Sequence, residues 1–249
     1  MTAEAKQLAD RVALVTGASR GIGHATALAL AKAGAHVVAV ARTVGGLEEL
    51  DDAIRALGSS ATLVPLDLKD YAGIDRLAGA VSQRYGRLDA LVANAGILGP
   101  LSPLDHVPPH DWDEVVAVNI TANYRLTRAF ADLLRKSTAG RVVYVSSAIA
   151  SQGLAYWGPY AVSKAAIEVL ARTFAAETTS TNVRVNVIAP GQVRTRMLAT
   201  ARPGLDMTNV EKPDKVAEQI VELCLPRMTE TGKYYDFPAR KLLDFRRPE

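Results

Sequence analysis

The sequence predicts one α/β domain, in which helices cover both faces of a doubly wound parallel sheet of about seven strands. Short valine-rich apolar runs alternate along the chain with amphipathic helical segments, and such alternation is typical of a three-layer αβα fold. The chain has 249 residues, of which 49% are hydrophobic and 22% charged. These values suit a single sizeable core. Since ligands of such sheets bind beyond the carboxyl ends of the strands, we expect functional residues there.

The order of the elements follows from the two periodicities of the sequence. Apolar runs predict strands near residues 11–16, 36–41, 62–66, 89–93, 141–146, 183–188 and 232–236. Amphipathic segments predict helices near 22–33, 46–57, 73–84, 110–136, 158–178 and 213–225. The closing segment P-A-R-K-L-L-D-F-R-R-P-E, residues 238–249, fits neither pattern, and its structure and role are left open.

Composition excludes several functional classes. No apolar run is long enough to span a bilayer and the polar start M-T-A-E-A-K-Q-L-A-D lacks the centre of a secretory signal, so we expect a cytoplasmic protein that does not contact membrane. The single cysteine, Cys224, is expected to be a small buried hydrophobic residue. A net charge of +3 gives little support to nucleic-acid binding.

Glycines mark the junction between the first strand and the first helix. In T-G-A-S-R-G-I-G, Gly17, Gly21 and Gly23 let the backbone approach a ligand closely, and the free N–H groups at the helix start favour phosphate. The order of glycines differs from G-x-G-x-x-G, and no G-K-S/T follows, so a P-loop is excluded. The pattern predicts a dinucleotide crossover, although three glycines alone could also form an ordinary tight turn.

A possible proton-transfer group lies in Y-A-V-S-K, where Tyr160 and Lys164 are one helical turn apart. A phenol becomes a useful acid or base near neutrality only beside a positive charge. Ser147, at the end of an apolar strand, can polarise a carbonyl oxygen at the same point. The alternative for this pair is a packed tyrosine beside a solvated lysine. The glycine junction favours catalysis at a carbonyl or carbinol.

Together these motifs resemble the short-chain dehydrogenase/reductase family, in its single-domain form of roughly 250 residues, over nearly the whole chain. The match covers T-G-x-x-x-G-I-G, N-A-G, A-V-N-I, the serine, tyrosine and lysine, and P-G-x-V-x-T. The resemblance implies a Rossmann-type fold. A narrower resemblance, to bacterial oxidoreductases of the YciK type, rests on A-N-A-G-I-L-G, W-G-P-Y-A-V-S-K and G-K-Y-Y-D-F and implies no substrate.

The family resemblance implies specific roles. Ser147 hydrogen-bonds the substrate oxygen, Tyr160 transfers the proton, Lys164 lowers the tyrosine pKa and holds the ribose, and Asn119 anchors a water beside Lys164. Cofactor contacts are implied for Gly17, Ser19, Arg20, Gly21, Ile22, Gly23, Arg42, Asp67, Leu68, Asn94, Ala95, Gly96, Tyr160, Lys164, Pro190, Gly191, Val193 and Thr195.

The end of the second strand predicts the cofactor. Enzymes that prefer NAD place a carboxylate there for the ribose diol, and here the residue is Ala41. Arg42 follows, and Arg20 can reach the same point, so both can bind a 2′-phosphate. The alternative is two solvated arginines. The sequence and the resemblance predict NADP(H) rather than NAD(H).

Residues that flank these motifs predict the substrate pocket. Leu98, Ile149, Tyr156, Trp157, Met197 and Leu198 are expected to form an apolar wall, although each could belong to the core. The loop from Leu198 to Val210 is expected to be a short lid. No metal site is expected, because prolines interrupt the one candidate cluster of Asp105, His106, His110 and Asp111.

We therefore expect an NADP(H)-dependent oxidoreductase that interconverts a carbonyl and a secondary alcohol, most simply a ketone or 3-oxoacyl reductase with a small-molecule substrate. The alternatives are an NAD-dependent alcohol dehydrogenase and a non-enzymatic NADP-binding sensor. Apolar positions in the helix near 110–136 exceed what one face requires and predict a homodimer or homotetramer. They are Val115, Val118, Leu126, Phe130 and Leu133. The family resemblance implies pairing through this helix and through the one that carries Tyr160.

Overall fold

The computed structural model describes residues 6–245 of the chain. Its strands are β1 (Val12–Thr16), β2 (His36–Ala41), β3 (Ala61–Pro65), β4 (Ala90–Ala93), β5 (Arg141–Val145), β6 (Arg184–Ala189), β7 (Lys233–Asp236) and β8 (Lys241–Asp244). Its α-helices are α1 (Gly21–Lys32), α2 (Val44–Ala56), α3 (Tyr71–Tyr85), α4 (Pro109–Val115), α5 (Ala122–Lys136), α6 (Ile149–Gln152), α7 (Gly158–Glu177), α8 (Arg196–Ala201) and α9 (Pro213–Cys224).

All described strands form one sheet in the order β3-β2-β1-β4-β5-β6-β7-β8. Neighbouring strands from β3 to β7 are parallel, and β8 pairs antiparallel with β7. The strand order reverses between β1 and β4, so loops after these strands diverge and leave a crevice at their carboxyl ends. The predicted doubly wound α/β fold is confirmed.

Two apolar cores lie on opposite faces of the sheet. One core packs α1, α2 and α9 against the sheet, and the other packs α3, α5 and α7. Along β1, Ala13 and Val15 belong to the first core while Val12 and Leu14 belong to the second. This alternation follows the two-residue period of a strand and explains why a parallel sheet needs a near-continuous apolar run.

The structure corrects the number of strands. The seven predicted strands are present with bounds within two residues, and β8 is an eighth. It is formed by Lys241–Asp244, within the closing segment that was left unassigned. Residues 246–249 of that segment lie outside the described part of the chain. No helix within residues 6–245 has the length and apolar character to cross a membrane.

The helix predicted near 110–136 is interrupted. Between α4 and α5 the segment Val116–Thr121 forms a π-helical turn, a feature often found at functional sites. The five apolar positions whose excess predicted a surface for pairing are all buried, with exposures between 0% for Phe130 and 7% for Val118. They fill the protomer's own core, so the argument that they form a surface for oligomerisation was wrong.

Candidate active site

A cleft of about 970 Å³ lies at the carboxyl ends of the strands. Nearly all the residues predicted from the sequence lie together in this cleft. Its lining includes Gly17, Ser19, Arg20, Gly21, Ile22, Arg42, Asp67, Leu68, Asn94, Ala95, Gly96, Leu98, Ser147, Ile149, Trp157, Tyr160, Lys164, Pro190, Gly191, Val193, Thr195, Met197 and Leu198. Because each group directly follows a strand or begins the next helix, the sheet brings together residues far apart in sequence.

Three predicted residues do not line the cleft. Gly23 and Asn119 lie beneath it, and their contacts are described below. The side chain of Tyr156 is 59% exposed and its φ is 72°, an uncommon value for a residue with a side chain. Its carbonyl oxygen accepts a hydrogen bond from the N–H of Ser102. The expectation that Tyr156 lines the pocket is therefore corrected, because this turn directs its side chain into solvent.

The start of α1 is built to receive an anion. Arg20, at the N-cap, makes no side-chain capping bond, so backbone N–H groups of the first turn remain available to a ligand. A Cβ atom on Gly23 would lie 2.3 Å from the Gly17 oxygen, too close for any side chain. Gly23 thus brings α1 against the Gly17 loop. This arrangement fits the phosphates of a dinucleotide.

Hydrogen bonds tie the N-A-G loop to β1. The N–H groups of Asn94 and Ala95 donate to Oγ1 of Thr16 at 3.1 and 3.0 Å, and Nδ2 of Asn94 donates to the Thr16 carbonyl at 2.8 Å. The loops after β1 and β4 therefore form one rigid wall of the crevice. Thr16 is fully buried, so its side of these hydrogen bonds is shielded from water.

The far end of the cleft carries positive charge. Ala41 ends β2 and is 7% exposed, and Arg42 follows it with a half-exposed side chain. Nη1 of Arg42 is 3.9 Å from Oδ2 of Asp67, which restrains the guanidinium without withdrawing it from the cleft. Arg20 lines the same cleft. A 2′-phosphate at this point can bind the two guanidinium groups, and the nearby carboxylate is that of Asp67 after β3 rather than one at the end of β2.

The proposed catalytic side chains meet at the other end. Tyr160 is 9% exposed and Lys164 3% exposed, and Nζ of Lys164 lies 5.5 Å from the centre of the Tyr160 ring. The Lys164 ammonium donates a 2.8 Å hydrogen bond to the Val145 carbonyl at the end of β5. Ser147 follows two residues after that strand and lines the same cleft. Tyr160 and Lys164 are thus held by buried positions of α7, and Ser147 by the loop that directly follows β5.

Burial dominates the electrostatics of this group. It raises the pKa of Tyr160 to about 12, against the opposing effect of the nearby Ser147 hydroxyl. The expectation that Lys164 lowers this pKa is therefore corrected, because burial outweighs the groups that favour the phenolate. Burial lowers the pKa of Lys164 to about 8, while the charge of Glu168 acts in the opposite direction. Since each shift disfavours the charged form, Tyr160 is a neutral phenol at neutral pH. A neutral phenol is ready to donate a proton.

Asn119 lies in the π-helical turn and is fully buried. Its Oδ1 accepts from the Ile97 N–H at 2.8 Å, and its Nδ2 donates to the Ile97 carbonyl and to Oγ of Ser163, both at 2.9 Å. Ser163 in turn donates to the Tyr160 carbonyl at 2.8 Å. The asparagine side chain therefore joins the N-A-G loop to the helix that carries Tyr160. The main-chain carbonyl of Asn119 accepts a 2.7 Å hydrogen bond from Nδ2 of Asn123.

The sequence analysis did not identify two supporting residues on α7, Ser163 and Glu168. Oγ of Ser146 donates a 2.7 Å hydrogen bond to Glu168, and Ser163 bridges Asn119 to the Tyr160 backbone. Glu168 lies four residues after Lys164, so the helical spacing that singled out Tyr160 and Lys164 also identifies Glu168 as a neighbour. Ser163 carried no such signal, because a serine within a helix is usually a local backbone-bonding residue.

The sequence cluster near α4 does not gather into a metal site. His106 pairs with Asp105 at 3.9 Å, and His110 pairs with Asp111 at 3.4 Å. Both histidine side chains are largely exposed. Among residues 6–245 no three potential histidine, cysteine or carboxylate ligands come together. Cys224 is buried, as predicted, and burial raises the pKa of its thiol to about 12.

Comparison with known proteins identifies the family. Residues 11–206 match the family model described as short chain dehydrogenase. The chain is 39% identical over 209 residues to the uncharacterized oxidoreductase YciK of Escherichia coli K12, covering 83% of this chain and 82% of that protein. It is 33% identical over 225 residues to the 3-oxoacyl-[acyl-carrier-protein] reductase FabG of Thermotoga maritima, covering 87% and 91% of the two chains.

A solved structure supports the same assignment. The fold superposes with a TM-score of 0.90 and 36% identity on a short chain dehydrogenase of Escherichia coli CFT073 that was crystallised with NADPH. The match covers 94% of this chain and 99% of that one. The predicted family and the narrower YciK resemblance are confirmed. This chain is an oxidoreductase that belongs to the short chain dehydrogenase family.

Proposed function

We propose that the protein is an NADPH-dependent carbonyl reductase of the ketone or 3-oxoacyl type, with cofactor binding and catalysis in one domain. One observation carries this proposal: Ser147, Tyr160 and Lys164 line the same cleft as Arg20 and Arg42. A proton donor thus lies at one end of the cleft, and a cation pair suited to a 2′-phosphate lies at the other. The cleft can hold a dinucleotide between these two ends.

Two independent facts support NADPH over NADH. The position that favours the ribose diol in NAD enzymes is Ala41, which carries no charge, and Arg42 and Arg20 flank it. The relative from Escherichia coli CFT073, at 36% identity, was crystallised with NADPH. A phosphate between two guanidinium groups gains charge-assisted hydrogen bonds that a hydroxyl cannot match.

NADPH, when bound, supplies the hydride that the carbonyl carbon accepts. Ser147 donates a hydrogen bond to the carbonyl oxygen and orients it. Tyr160, neutral because burial raises its pKa to about 12, donates its proton to the oxygen as negative charge develops there. The product is the secondary alcohol. The protonated Lys164 ammonium stabilises the tyrosinate that remains, because opposite charges attract strongly in a buried site.

Asn119 has a positioning role in this mechanism. Its side chain is fully used by Ile97 and Ser163, so it fixes the loop after β4 relative to Tyr160. The main-chain carbonyl oxygen of Asn119 accepts one hydrogen bond from Asn123. Its second lone pair can hold a water molecule that returns a proton to Tyr160 through Lys164.

The walls of the catalytic end favour a carbonyl with an apolar flank. Leu98, Ile149, Trp157, Met197 and Leu198 line this cleft. An apolar chain beside the carbonyl would bury these side chains from water at a gain of roughly 25 cal/mol per Å². The relative named as a 3-oxoacyl reductase, at 33% identity, is consistent with such a substrate.

Assembly into a homodimer or homotetramer is part of the proposal, through α7, the helix that carries Tyr160 and that the family resemblance implicates in pairing. Val162 and Val169 on α7 are 44% and 51% exposed, and Tyr124 on α5 is 50% exposed. Val162 and Val169 are seven residues apart and share a helix face. Pairing of the α7 face with its copy would remove both valines from water.

The experiment is a comparison of cofactors followed by a screen of substrates. The purified protein is titrated with NADPH and NADH, and oxidation of the tighter cofactor is then followed with a panel of ketones and 3-oxoacyl thioesters. The proposal requires tighter binding of NADPH and turnover of at least one carbonyl. Preference for NAD with alcohol oxidation would favour an alcohol dehydrogenase, and tight NADPH binding without any turnover would favour a sensor.

A further inference from the structure

The closing segment of the chain, which fitted no sequence pattern, forms a turn beside the cleft. Residues 237–240, the C-terminal turn, connect β7 to the antiparallel strand β8. Phe237 is 2% exposed in the core, and its N–H donates to the Ala189 carbonyl at 3.1 Å. Ala189 ends β6 and immediately precedes the P-G-x-V-x-T segment. The turn is thus anchored at the place where this segment begins.

Pro238 packs directly on the P-G-x-V-x-T segment. A Cβ atom built on Gly191 would lie 2.5 Å from Cγ of Pro238 and 3.3 Å from its Cδ. The proline ring therefore occupies the space in which a side chain at 191 would lie. Because φ of Gly191 is 69°, this backbone also has a conformation that favours glycine. The ring and the glycine together fix the path of the chain into the cleft.

The two ends of the lid meet at a single residue. Val193 forms an isolated parallel bridge with Glu211, and the Arg194 N–H donates to the Glu211 carbonyl at 2.8 Å. The Arg194 guanidinium reaches across the lid and donates to the Thr208 carbonyl at 2.7 Å. Val193 and Arg194, which precede the lid, are therefore joined to Glu211, which follows it. These contacts form the base of the lid.

Arg240 connects the C-terminal turn to that base. Its Nη2 lies 3.4 Å from Oε2 of Glu211, and its guanidinium stacks over the buried Phe237 ring at 3.7 Å. The stacking holds a long side chain in one position and so reduces the entropy lost when the ion pair forms. Phe237 is itself fixed in the core. Arg240 therefore links this fixed part of the sheet to Glu211 at the base of the lid.

We infer that the C-terminal turn is a positioning element for cofactor and substrate binding, in which Pro238 fixes Gly191 and Arg240 holds Glu211 at the base of the lid. This inference rests on the proposed function, because the segment it positions is the one assigned to the nicotinamide. Neither residue is assigned to catalysis. We call these two contacts, Pro238 with Gly191 and Arg240 with Glu211, the brace. Loss of the brace should weaken the binding of cofactor and substrate, while Ser147, Tyr160 and Lys164 stay in place.

The test uses the full chain with Arg240→Gln, Glu211→Gln and the double variant. An exposed ion pair contributes up to about 1 kcal/mol, which is about fivefold in affinity. We expect the Kd for NADPH and the KM for the carbonyl to rise about two- to fivefold, with kcat changed less than about twofold. Amide hydrogen exchange in the lid should become faster. The double variant should be no worse than either single one, because both remove the same contact.

Two further variants separate the brace from general stability. Asp244→Asn removes the 2.7 Å pair with Lys233 in the same hairpin, and should leave lid exchange and NADPH affinity unchanged. Arg240→Lys keeps the charge but loses the planar stacking on Phe237, and should have an affinity between those of Arg240→Gln and the unaltered protein. Unchanged lid exchange and affinity in Arg240→Gln would overturn the inference, as would an equal effect of Asp244→Asn. Amide exchange in the lid is measured without cofactor and therefore tests the brace independently of NADPH binding. If the unaltered protein failed to bind NADPH, the proposed function would be refuted, and the exchange data would still show whether the brace orders the lid.

Discussion

Oε1 of Glu168 accepts a 2.7 Å hydrogen bond from Oγ of Ser146, which joins the helix that carries Lys164 to the strand end that carries Ser147. The carboxylate is half-buried, with Arg172 and Lys164 nearby on its own helix. Tyr234 faces it from β7, and burial raises the pKa of that phenol to about 12, so it stays neutral. Burial raises the pKa of the Glu168 carboxyl, while Ser146, Arg172 and Lys164 act in the opposite direction. The charge of Glu168 in turn opposes the deprotonation of Lys164 that burial favours.

The first prediction concerns pH. Burial lowers the pKa of Lys164 to about 8 and Glu168 opposes that shift, so the ammonium is present below this pH and is lost above it. We expect kcat/KM for NADPH-dependent reduction to be level below about pH 8 and to fall above it. Glu168→Gln should move the fall to lower pH, because the charge that favours the ammonium is gone.

The matched control for the pH profile is Glu177→Gln, on the exposed C-terminal end of the same helix. Its profile should coincide with that of the unaltered protein. An alkaline limb that stays in place in Glu168→Gln would contradict the assignment of that limb to Lys164.

The second prediction concerns the cofactor. Arg42→Ala should weaken NADPH binding at least tenfold, since one charge-assisted contact is worth about 1.5–3 kcal/mol, and should leave NADH binding nearly unchanged. Isothermal titration with both cofactors measures the difference. Arg55→Ala, which removes another exposed arginine paired on a helix, is the control. Equal affinities for the two cofactors in the unaltered protein would refute the NADPH preference.

The third prediction concerns the phosphate cradle. In Gly23→Ala the new Cβ would collide with the Gly17 backbone, and overpacking of this kind costs about 1–3 kcal/mol. We expect a lower Tm and weaker NADPH binding. Gly79→Ala, inside α3 with open space around the new atom, should instead stabilise the protein by about 0.5–1 kcal/mol. Equal Tm values for the two variants would show that the close contact does not matter.

The sequence was sufficient to predict the parallel sheet and most residues of the cleft. Strand periodicity, the glycine loop and the Tyr160–Lys164 spacing are local signals, and the sheet topology then places them together. Asn94 and Thr16 illustrate the point. Thr16 ends β1 and Asn94 directly follows β4, and the parallel pairing of these strands brings Nδ2 of Asn94 to 2.8 Å from the Thr16 carbonyl oxygen.

Other features depend on contacts that the local sequence does not contain. Strand β8 exists because β7 offers an edge and the intervening turn reverses the chain at Arg240, which has a φ of 55°. The π-helical turn at Asn119 is stabilised by bonds to Ile97 and Ser163, which come from distant elements. Tyr156 was assigned to the pocket because of its neighbours in sequence, and a positive φ directs it away.

The fourth prediction concerns assembly. Val169→Glu places a charge on the exposed apolar face of α7 and should shift the protein to a smaller species in light scattering at micromolar concentration, because a buried charge without a partner is costly. Leu57→Glu, at a residue that is 43% exposed after α2, should have no such effect. A monomer in the unaltered protein would refute the proposed oligomer.

The most direct test of the proposed mechanism is turnover by Tyr160→Phe. The variant keeps the buried ring and removes only the proton, so Tm and NADPH affinity should change little. Carbonyl reduction should fall by about 10²–10⁴-fold, which is the usual contribution of general acid catalysis. Tyr156→Phe, at the exposed tyrosine nearby, should retain full activity. Near-normal turnover by Tyr160→Phe, on a substrate that the unaltered protein reduces well, would contradict the mechanism.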